Sequence, residues 1–436
     1  QTRLIWLRAE IASCLARVAS DPTVRPLLAV DDPAETLRGL LEGRQRFYAA
    51  AEMFVDTDGR SIETIVDEIE RRLRPAPEAV RVELGERSYE VRFGTRGIAQ
   101  VADEYLQAFA ARRAVVVTDS NVARHYGDDL MRAFGARGVE LKLEVVPAGE
   151  ASKSLRVVEE LLDALIAWKA DRKTPLVAFG GGVVGDLAGF VAATLFRGVP
   201  LMQVPTTLLA QVDSSIGGKT GVNHRLGKNL IGAFYQPRVV YVDPSFLETL
   251  PEREYLAGLA EVVKYGAIAD DALFRLLERE VEAIVRKDPE ILATIIRESV
   301  AIKADVVSRD EKEGGLRAIL NYGHTLGHAI EAGAGYGTLL HGEAVALGIV
   351  WVNDLAAEVG GSALGEDAVR IRDLLARLRL PVDYAPYQDP ELVALASHDK
   401  KTRGRAIELV LLERIGAAER RSIEQSTFLA AACRCG

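Results

Sequence analysis

Three of the chain's six histidines, His324, His328 and His341, fall in one short stretch. Arg317, Asn321, His324 and His328 follow one another by steps of four, three and four, which on an α-helix would put all four on one face. A guanidinium, an amide and two imidazoles are costly to bury against apolar neighbours, and they suit a metal ion or an anionic substrate. Glu261 and Lys264, one helical turn apart in the glycine-flanked segment 258–266, add a carboxylate and a cation. Glu261 with His324 and His341 would make a two-histidine, one-carboxylate set, which suits Zn²⁺ and keeps a coordination position open. His328 would be either a fourth ligand or a partner behind the first three; spacing leaves that choice open. His125, His224 and His398 lie in polar surroundings and read as structural or solvated.

Two further segments carry chemistry. Gly180, Gly181, Gly182 and Gly185 follow the apolar run Leu176–Phe179 and precede a predicted helix over Leu187–Thr194. They spell G-x-G-x-x-G in a strand-to-helix context, where exposed backbone N–H groups can hold a pyrophosphate. The acidic residue that would bind a ribose about twenty positions later is missing; Asp119, after the run 114–118, is the alternative. The second segment, Val204–Asn229, holds Thr206, Thr207, Asp213, Lys219, Lys228 and Asn229. Gly218, Lys219 and Thr220 resemble the end of a phosphate-binding loop, but Asp213 stands where that loop's first glycine belongs, so a nucleotide-triphosphatase reading is poor. The segment reads as a solvated loop or as a ligand segment beyond a strand end.

These groups need a scaffold. Short apolar runs at 114–118, 143–146, 176–179, 201–204 and 239–242 recur with helical stretches between several of them, a rhythm that predicts a mainly parallel sheet covered by helices. Runs 80–84 and 89–93 flank Gly85 and predict a hairpin. After Pro251 strands almost vanish, and 271–308 and 341–359 carry helical spacing. Residues 1–75 read as a small α/β piece, with a strand at Leu4–Leu7, another at Met53–Asp56 and a helix ending near Arg74; Pro75 and Pro77 mark a linker. The chain therefore divides into 1–75, an α/β domain over 78–250 and an α-helical domain over 251–436, with a ligand cleft expected between the last two. A net charge of -9 argues against general nucleic-acid binding. No apolar run is long enough to span a bilayer and the first residues are not a secretory signal, so no membrane partner is expected. Three scattered cysteines form no disulfide framework, which makes a cytoplasmic location the default.

Over residues 78–436 the motifs resemble 3-dehydroquinate synthase. The carriers are Gly180–Asp186, Val204–Lys219, Gly227–Pro237, Gly258–Gly266, Asn321–Glu331 and His341–Val345. The resemblance implies an α/β fold: a Rossmann-like NAD-binding domain followed by an α-helical metal- and substrate-binding domain. It implies a homodimeric lyase that uses NAD⁺ and Zn²⁺ (or Co²⁺). Such a lyase converts 3-deoxy-D-arabino-heptulosonate 7-phosphate to 3-dehydroquinate and phosphate by transient oxidation, β-elimination, reduction and intramolecular aldol closure. Metal would sit on Glu261, His324 and His341. NAD⁺ would meet Asp119, Glu150, Lys153, the turn Gly182, Val183, Val184, Gly185 and Asp186, then Thr206, Thr207, Lys219, Lys228, Phe246, Leu247, Glu248 and Thr249. Substrate would meet Asp213, Lys219, Asn229, Lys264, Lys303, Arg317, Asn321, His328 and Lys400, with Arg197 reaching the phosphate across a dimer interface. His328 would relay a proton. The family usually has Asp-Gly-Glu where this chain has Ala148, Gly149 and Glu150, which touches only a peripheral contact.

Residues 1–75 resemble the C-terminal part of shikimate kinase. The carriers are Arg25–Leu28, Leu41–Glu52 and Val55–Ser61, with Arg25 in a lid and Arg44 on the shikimate carboxylate. The phosphate-binding loop that belongs upstream is not in this sequence, so no kinase activity is expected and the piece reads as a fusion fragment or a remnant. Three rivals remain for the rest. A metal-dependent polyol or alcohol dehydrogenase would leave the lysines of 219–303 without an anionic partner. Another sugar-phosphate cyclase would act on glucose 6-phosphate or sedoheptulose 7-phosphate. A non-catalytic scaffold would not need the full set of reactive residue types.

Overall fold

The computed structural model describes residues 4–20, 28, 30, 32–48, 51, 53–62, 64–66, 69, 79–335, 338–361, 364–397 and 406–434. The chain forms two compact units, Gln1–Ala76 and Pro77–Gly436. In the first, strands β1 (Ile5–Arg8) and β2 (Met53–Asp56) pair in parallel, with helices α1 (Ile11–Ser20) and α2 (Pro33–Tyr48) between them in sequence. Arg8 locks the two strands with a two-point ion pair to Asp56, at 2.8 and 2.9 Å. Trp6 stacks on Tyr48 at 5.0 Å. Arg44 is exposed on α2, whereas Arg25 and the predicted helix end near Arg74 lie outside the described residues.

The second unit is built on a seven-stranded sheet. Its strands are β3 (Ala79–Val82), β4 (Tyr89–Phe93), β5 (Arg113–Asp119), β6 (Glu140–Val146), β7 (Leu176–Gly180), β8 (Leu201–Pro205) and, after a separate hairpin β9 (Lys219–His224) and β10 (Gly227–Phe234), β11 (Val239–Val242). The order across the sheet is β3-β4-β11-β8-β7-β5-β6, and only the β3–β4 pair is antiparallel. Strands β7, β8 and β11 are buried throughout, which is why they read as unbroken apolar runs. Helices α3 (Ile98–Phe109), α4 (Ser120–Ala136), α5 (Leu155–Ala167) and α6 (Gly182–Thr194) connect them. The chain passes from β5 outward to β6 and then back across β5 to β7. The direction of winding therefore reverses at the β5/β7 boundary, where open α/β sheets place ligands.

Helices α7 (Glu252–Ala269), α8 (Asp271–Arg279), α9 (Val281–Val285), α10 (Pro289–Arg309), α11 (His324–Gly333), α12 (His341–Ala356), α13 (Glu366–Arg377) and α14 (Pro390–Ser397) follow, then a hairpin β12 (Ala406–Arg414) and β13 (Ala417–Glu424), and α15 (Gln425–Ala432). Apolar faces of α7, α10, α12 and the hairpin merge into the largest core, around Trp351, Tyr255 and Phe428.

The helical spacing over 271–308 is carried by three consecutive helices, broken at Glu280 and before Pro289. Two expectations are corrected. Strands return after Pro251 as the β12–β13 hairpin, whose second strand is rich in Glu and Arg and carries no apolar run. Residues 317–328 are not one helix: Leu316–Asn321 is a 3₁₀ turn, and Gly323, at φ 75°, reverses the backbone before α11 begins.

Candidate active site

Helix α7 carries Glu261 and Lys264 to the interior, at 0 and 1 % exposure. Burial opposes charge on Glu261, but Lys264 and His324 hold its carboxyl down to about 2. Among the described residues its two oxygens receive no well-directed hydrogen bond, although Lys264 lies against one of them. The other oxygen is 3.4 Å from His324 Nε2 and 4.0 Å from His341 Nε2. One ligand atom from each of Glu261, His324 and His341 can be chosen so that all lie within 4.8 Å of one another. Two donors on a tetrahedral Zn²⁺ stand about 3.4 Å apart, so the donor set fits a divalent ion with only a small closure at His341.

The imidazoles are prepared for that role. His324 Nδ1 lies 3.0 Å from the carbonyl of Tyr322, which leaves Nε2 turned to Glu261. Burial and the Lys264 charge push His324 down to about 4, so it is neutral at physiological pH, as ligation requires. His341 Nδ1 faces Glu331 Oε2 at 3.3 Å. Close helix contact makes this alignment possible. A Cβ on Gly342 would fall 1.8 Å from the carbonyl oxygen of Ala257, so only glycine lets the start of α12 touch α7. His328, one turn beyond His324, is exposed, with its ring 5.4 and 5.8 Å from those of His324 and His341, and is not among the three donors.

A second network adjoins the first. Asp213, in a π-turn over Ala210–Ser214, accepts hydrogen bonds from Tyr265 at 2.6 Å and Lys303 at 2.7 Å. Burial would raise it, yet Lys303 and Lys264 hold it well below the usual carboxylate range. Lys303, on α10, is pushed down to about 8 by burial, with Arg317 and Lys264 adding to the shift against Asp213. Arg317 is 2 % exposed and donates to the carbonyls of Gly217 and Glu311. Asn321 donates to Glu313 at 3.0 Å, and the other Glu313 oxygen accepts from Lys219 at 2.8 Å.

The residues expected to meet a dinucleotide stand at the carboxyl ends of the sheet strands. Asp119 ends β5 and caps α4 by accepting from the N–H groups of Asn121 and Val122. Gly182, Val183, Val184, Gly185 and Asp186 open α6, whose first N–H groups receive no side-chain cap. Thr206 and Thr207 follow β8; a Cβ on Gly181 would lie 2.9 Å from Thr207 Cγ2, so the turn and the β8 loop touch. Phe246, Leu247, Glu248 and Thr249 form a 3₁₀ turn after β11; Thr249 bonds Tyr126 at 2.9 Å, and Phe246 packs edge-on to Phe179. Lys153 reaches Asp186 at 2.7 Å and also Asn229, while Glu150 accepts from Asn223 at 2.7 Å. The lysine-rich segment is thus a β-hairpin rather than a loop, and Lys228 on β10 meets Glu331 of α11. Uncapped N–H groups at the winding reversal fit a pyrophosphate.

Arg197 sits on the exposed turn after α6 at φ 66° and makes no hydrogen bond to these networks among the described residues. Lys400 lies outside the described residues. Sequence reading missed Tyr265, Glu313 and Glu331 as parts of the site. Glu331 had a usable signal, since it stands seven residues after His324 on the same helical face.

The 3-dehydroquinate synthase N-terminal family model matches residues 143–257, its C-terminal counterpart residues 258–402, and the shikimate kinase model residues 1–74. Among solved structures, 2-deoxy-scyllo-inosose synthase complexed with carbaglucose-6-phosphate, NAD⁺ and Co²⁺ is 27 % identical, with TM-score 0.74 over 82 % of this chain and 100 % of that one. The 2-epi-5-epi-valiolone synthase of Streptomyces hygroscopicus subsp. jinggangensis 5008, with NAD⁺ and Zn²⁺ bound, is 31 % identical, with TM-score 0.71 over 79 % and 95 %. Glycerol dehydrogenase from Schizosaccharomyces pombe, 16 % identical with TM-score 0.56 over 78 % and 86 %, shares the fold alone.

Proposed function

This chain belongs to the 3-dehydroquinate synthase family, its first segment matching shikimate kinase, and from that membership we propose that it is the 3-dehydroquinate synthase itself. Its substrate would be 3-deoxy-D-arabino-heptulosonate 7-phosphate and its products 3-dehydroquinate and phosphate. The observation that carries the reading is the Glu261, His324 and His341 set lying beside buried Lys264, Lys303 and Arg317. Lys264 and Lys303 already face Glu261 and Asp213, but three cations outnumber those two carboxylates, and the excess suits a substrate bearing phosphate and carboxylate better than a neutral polyol. The shikimate kinase match favours the heptulosonate over the substrates of other sugar-phosphate cyclases, because both activities serve one pathway. No kinase chemistry is assigned to residues 1–74.

Bound NAD⁺ would accept a hydride from the substrate and return it, and a divalent ion on Glu261, His324 and His341 would polarise neighbouring hydroxyls. The chain's own residues do the rest. Lys264 fixes the Glu261 carboxylate and presents its ammonium to the same space. Lys303 and Arg317 neutralise substrate anions, with Asp213 and Tyr265 holding Lys303 in place. Lys219 and Asn321 bind substrate after leaving Glu313, and Asn229 joins them. His328, exposed and one turn from His324, carries a proton between substrate and solvent. Arg197 would serve the phosphate of a partner's substrate in a homodimer, and Lys400 would close over the site.

The test is phosphate release from the heptulosonate phosphate, glucose 6-phosphate and sedoheptulose 7-phosphate, each with and without chelator and with NADH followed. The expected result is release from the first only, abolished by chelator, with no net NADH. Stoichiometric NADH, or preference for another sugar, would overturn the assignment.

A further inference from the structure

Glu331 is 8 % exposed and bridges two elements that carry different ligands in the proposed function. One carboxylate oxygen accepts from Lys228 Nζ, on β10 of the hairpin beside Lys153 and Glu150. The other faces His341 Nδ1 at 3.3 Å. Glu331 also shares α11 with His324, two turns away. The same helix therefore supplies one metal donor directly and orients the second through its carboxylate. A carboxylate on Nδ1 fixes the tautomer, which leaves the Nε2 lone pair for an ion shared with Glu261. No other acidic side chain contacts His341 Nδ1 among the described residues.

We propose that Glu331 is a positioning residue that couples the nucleotide side of the site to the metal side, through Lys228–Glu331–His341. Movement of β10 toward a bound dinucleotide shifts the Lys228 ammonium, and with it the carboxylate that aims His341. Metal and dinucleotide then bind with positive coupling, each raising the affinity for the other by the same factor. This rests on the proposed assignment of metal to His341 and of dinucleotide to Lys228.

The coupling can be read without turnover. Zn²⁺ affinity is measured by competition with a chromophoric chelator. NAD⁺ affinity is measured by fluorescence titration of metal-free and Zn²⁺-loaded protein. The wild-type chain should bind NAD⁺ at least about fivefold more tightly when loaded. Glu331→Gln should weaken Zn²⁺ binding about 10- to 100-fold and bring the NAD⁺ ratio to about one. Lys228→Met, at a side chain 30 % exposed and therefore outside the core, should also bring the ratio to about one while keeping Zn²⁺ affinity closer to wild type. Glu331→Asp should recover part of the coupling. Glu343→Gln alters another carboxylate on α12, one that pairs with Arg253, and should leave the ratio unchanged. A wild-type ratio of one, or unaltered coupling in both Glu331→Gln and Lys228→Met, overturns the proposal while leaving the lyase assignment standing. Failure of the wild-type chain to bind Zn²⁺ or NAD⁺ at all overturns both.

Discussion

At the scale of single residues, the site places three cations in the interior of an acidic chain. Lys303 shows what that does to a proton. Its ordinary value is 10.5 and burial brings it to about 8. Below pH 8 the ammonium exists in folded and unfolded chains alike, and the folded state bears the cost of burying it. Between the two values only the unfolded chain holds the proton, so this residue's contribution to stability rises with pH across that window. In the proposed reaction activity runs the other way, because the charged form is the one that would meet an anionic substrate. We expect kcat/KM to fall about tenfold per pH unit above 8, and Lys303→Arg, which stays charged, to carry whatever activity it keeps to higher pH. A profile of kcat/KM from about pH 6.5 to 10 checks this; an alkaline limb unmoved in the Arg variant would remove Lys303 from that role. The donor residues were legible because histidine is scarce and two of the three lie close in sequence. Glu313 and Tyr265 were not, because nothing local distinguishes a glutamate or tyrosine that reaches another element from one that meets solvent.

At the scale of elements, the buried strands and the long helices followed from apolar period and composition. The two late hairpins did not. Strand β10 mixes half-buried and exposed positions, with lysine, asparagine and glycine among them, and its partner β9 supplies the hydrogen bonds. Pairing of this kind is a tertiary choice that short-range pattern does not encode. The break at Gly323 was missed for a related reason. The 4-3-4 spacing is compatible with a helix, and only the packing of α11 on α12 demands the turn. Close helix contact also makes a prediction. Gly342→Ala must force α12 away from α7, at a cost of about 1–3 kcal/mol or more. It should lower the melting temperature by several degrees and weaken Zn²⁺ binding, because Glu261 and His341 ride on those two helices. An unchanged melting temperature with full metal affinity would show that the helices tolerate the added methyl.

At the scale of the whole molecule, the division at residue 76 separates a segment matching a kinase from a body that contains every site residue. The second unit has its own sheet, its own cores and all three candidate metal donors. A chain covering 77–436 should therefore retain kcat/KM within about twofold, since every residue assigned to the chemistry belongs to the second unit. Steady-state comparison of the two lengths checks this, and a large loss would assign the first unit a part in catalysis. No helix among the described residues is long and apolar enough to cross a membrane. Within a chain of net charge -9, Lys264, Lys303 and Arg317 are buried, Lys264 and Lys303 against the carboxylates of Glu261 and Asp213.

The turn of the β12–β13 hairpin has a consequence for how the molecule is made. Gly416 donates from its N–H to the carbonyl of Ala267, in the last turn of the helix that bears Glu261. All three donors are synthesised before that hairpin, yet the helix that bears Glu261 gains this bond at its end only once the hairpin is made. In a growing polypeptide the end of Glu261's helix would thus be secured late, after the β12–β13 turn has left the ribosome.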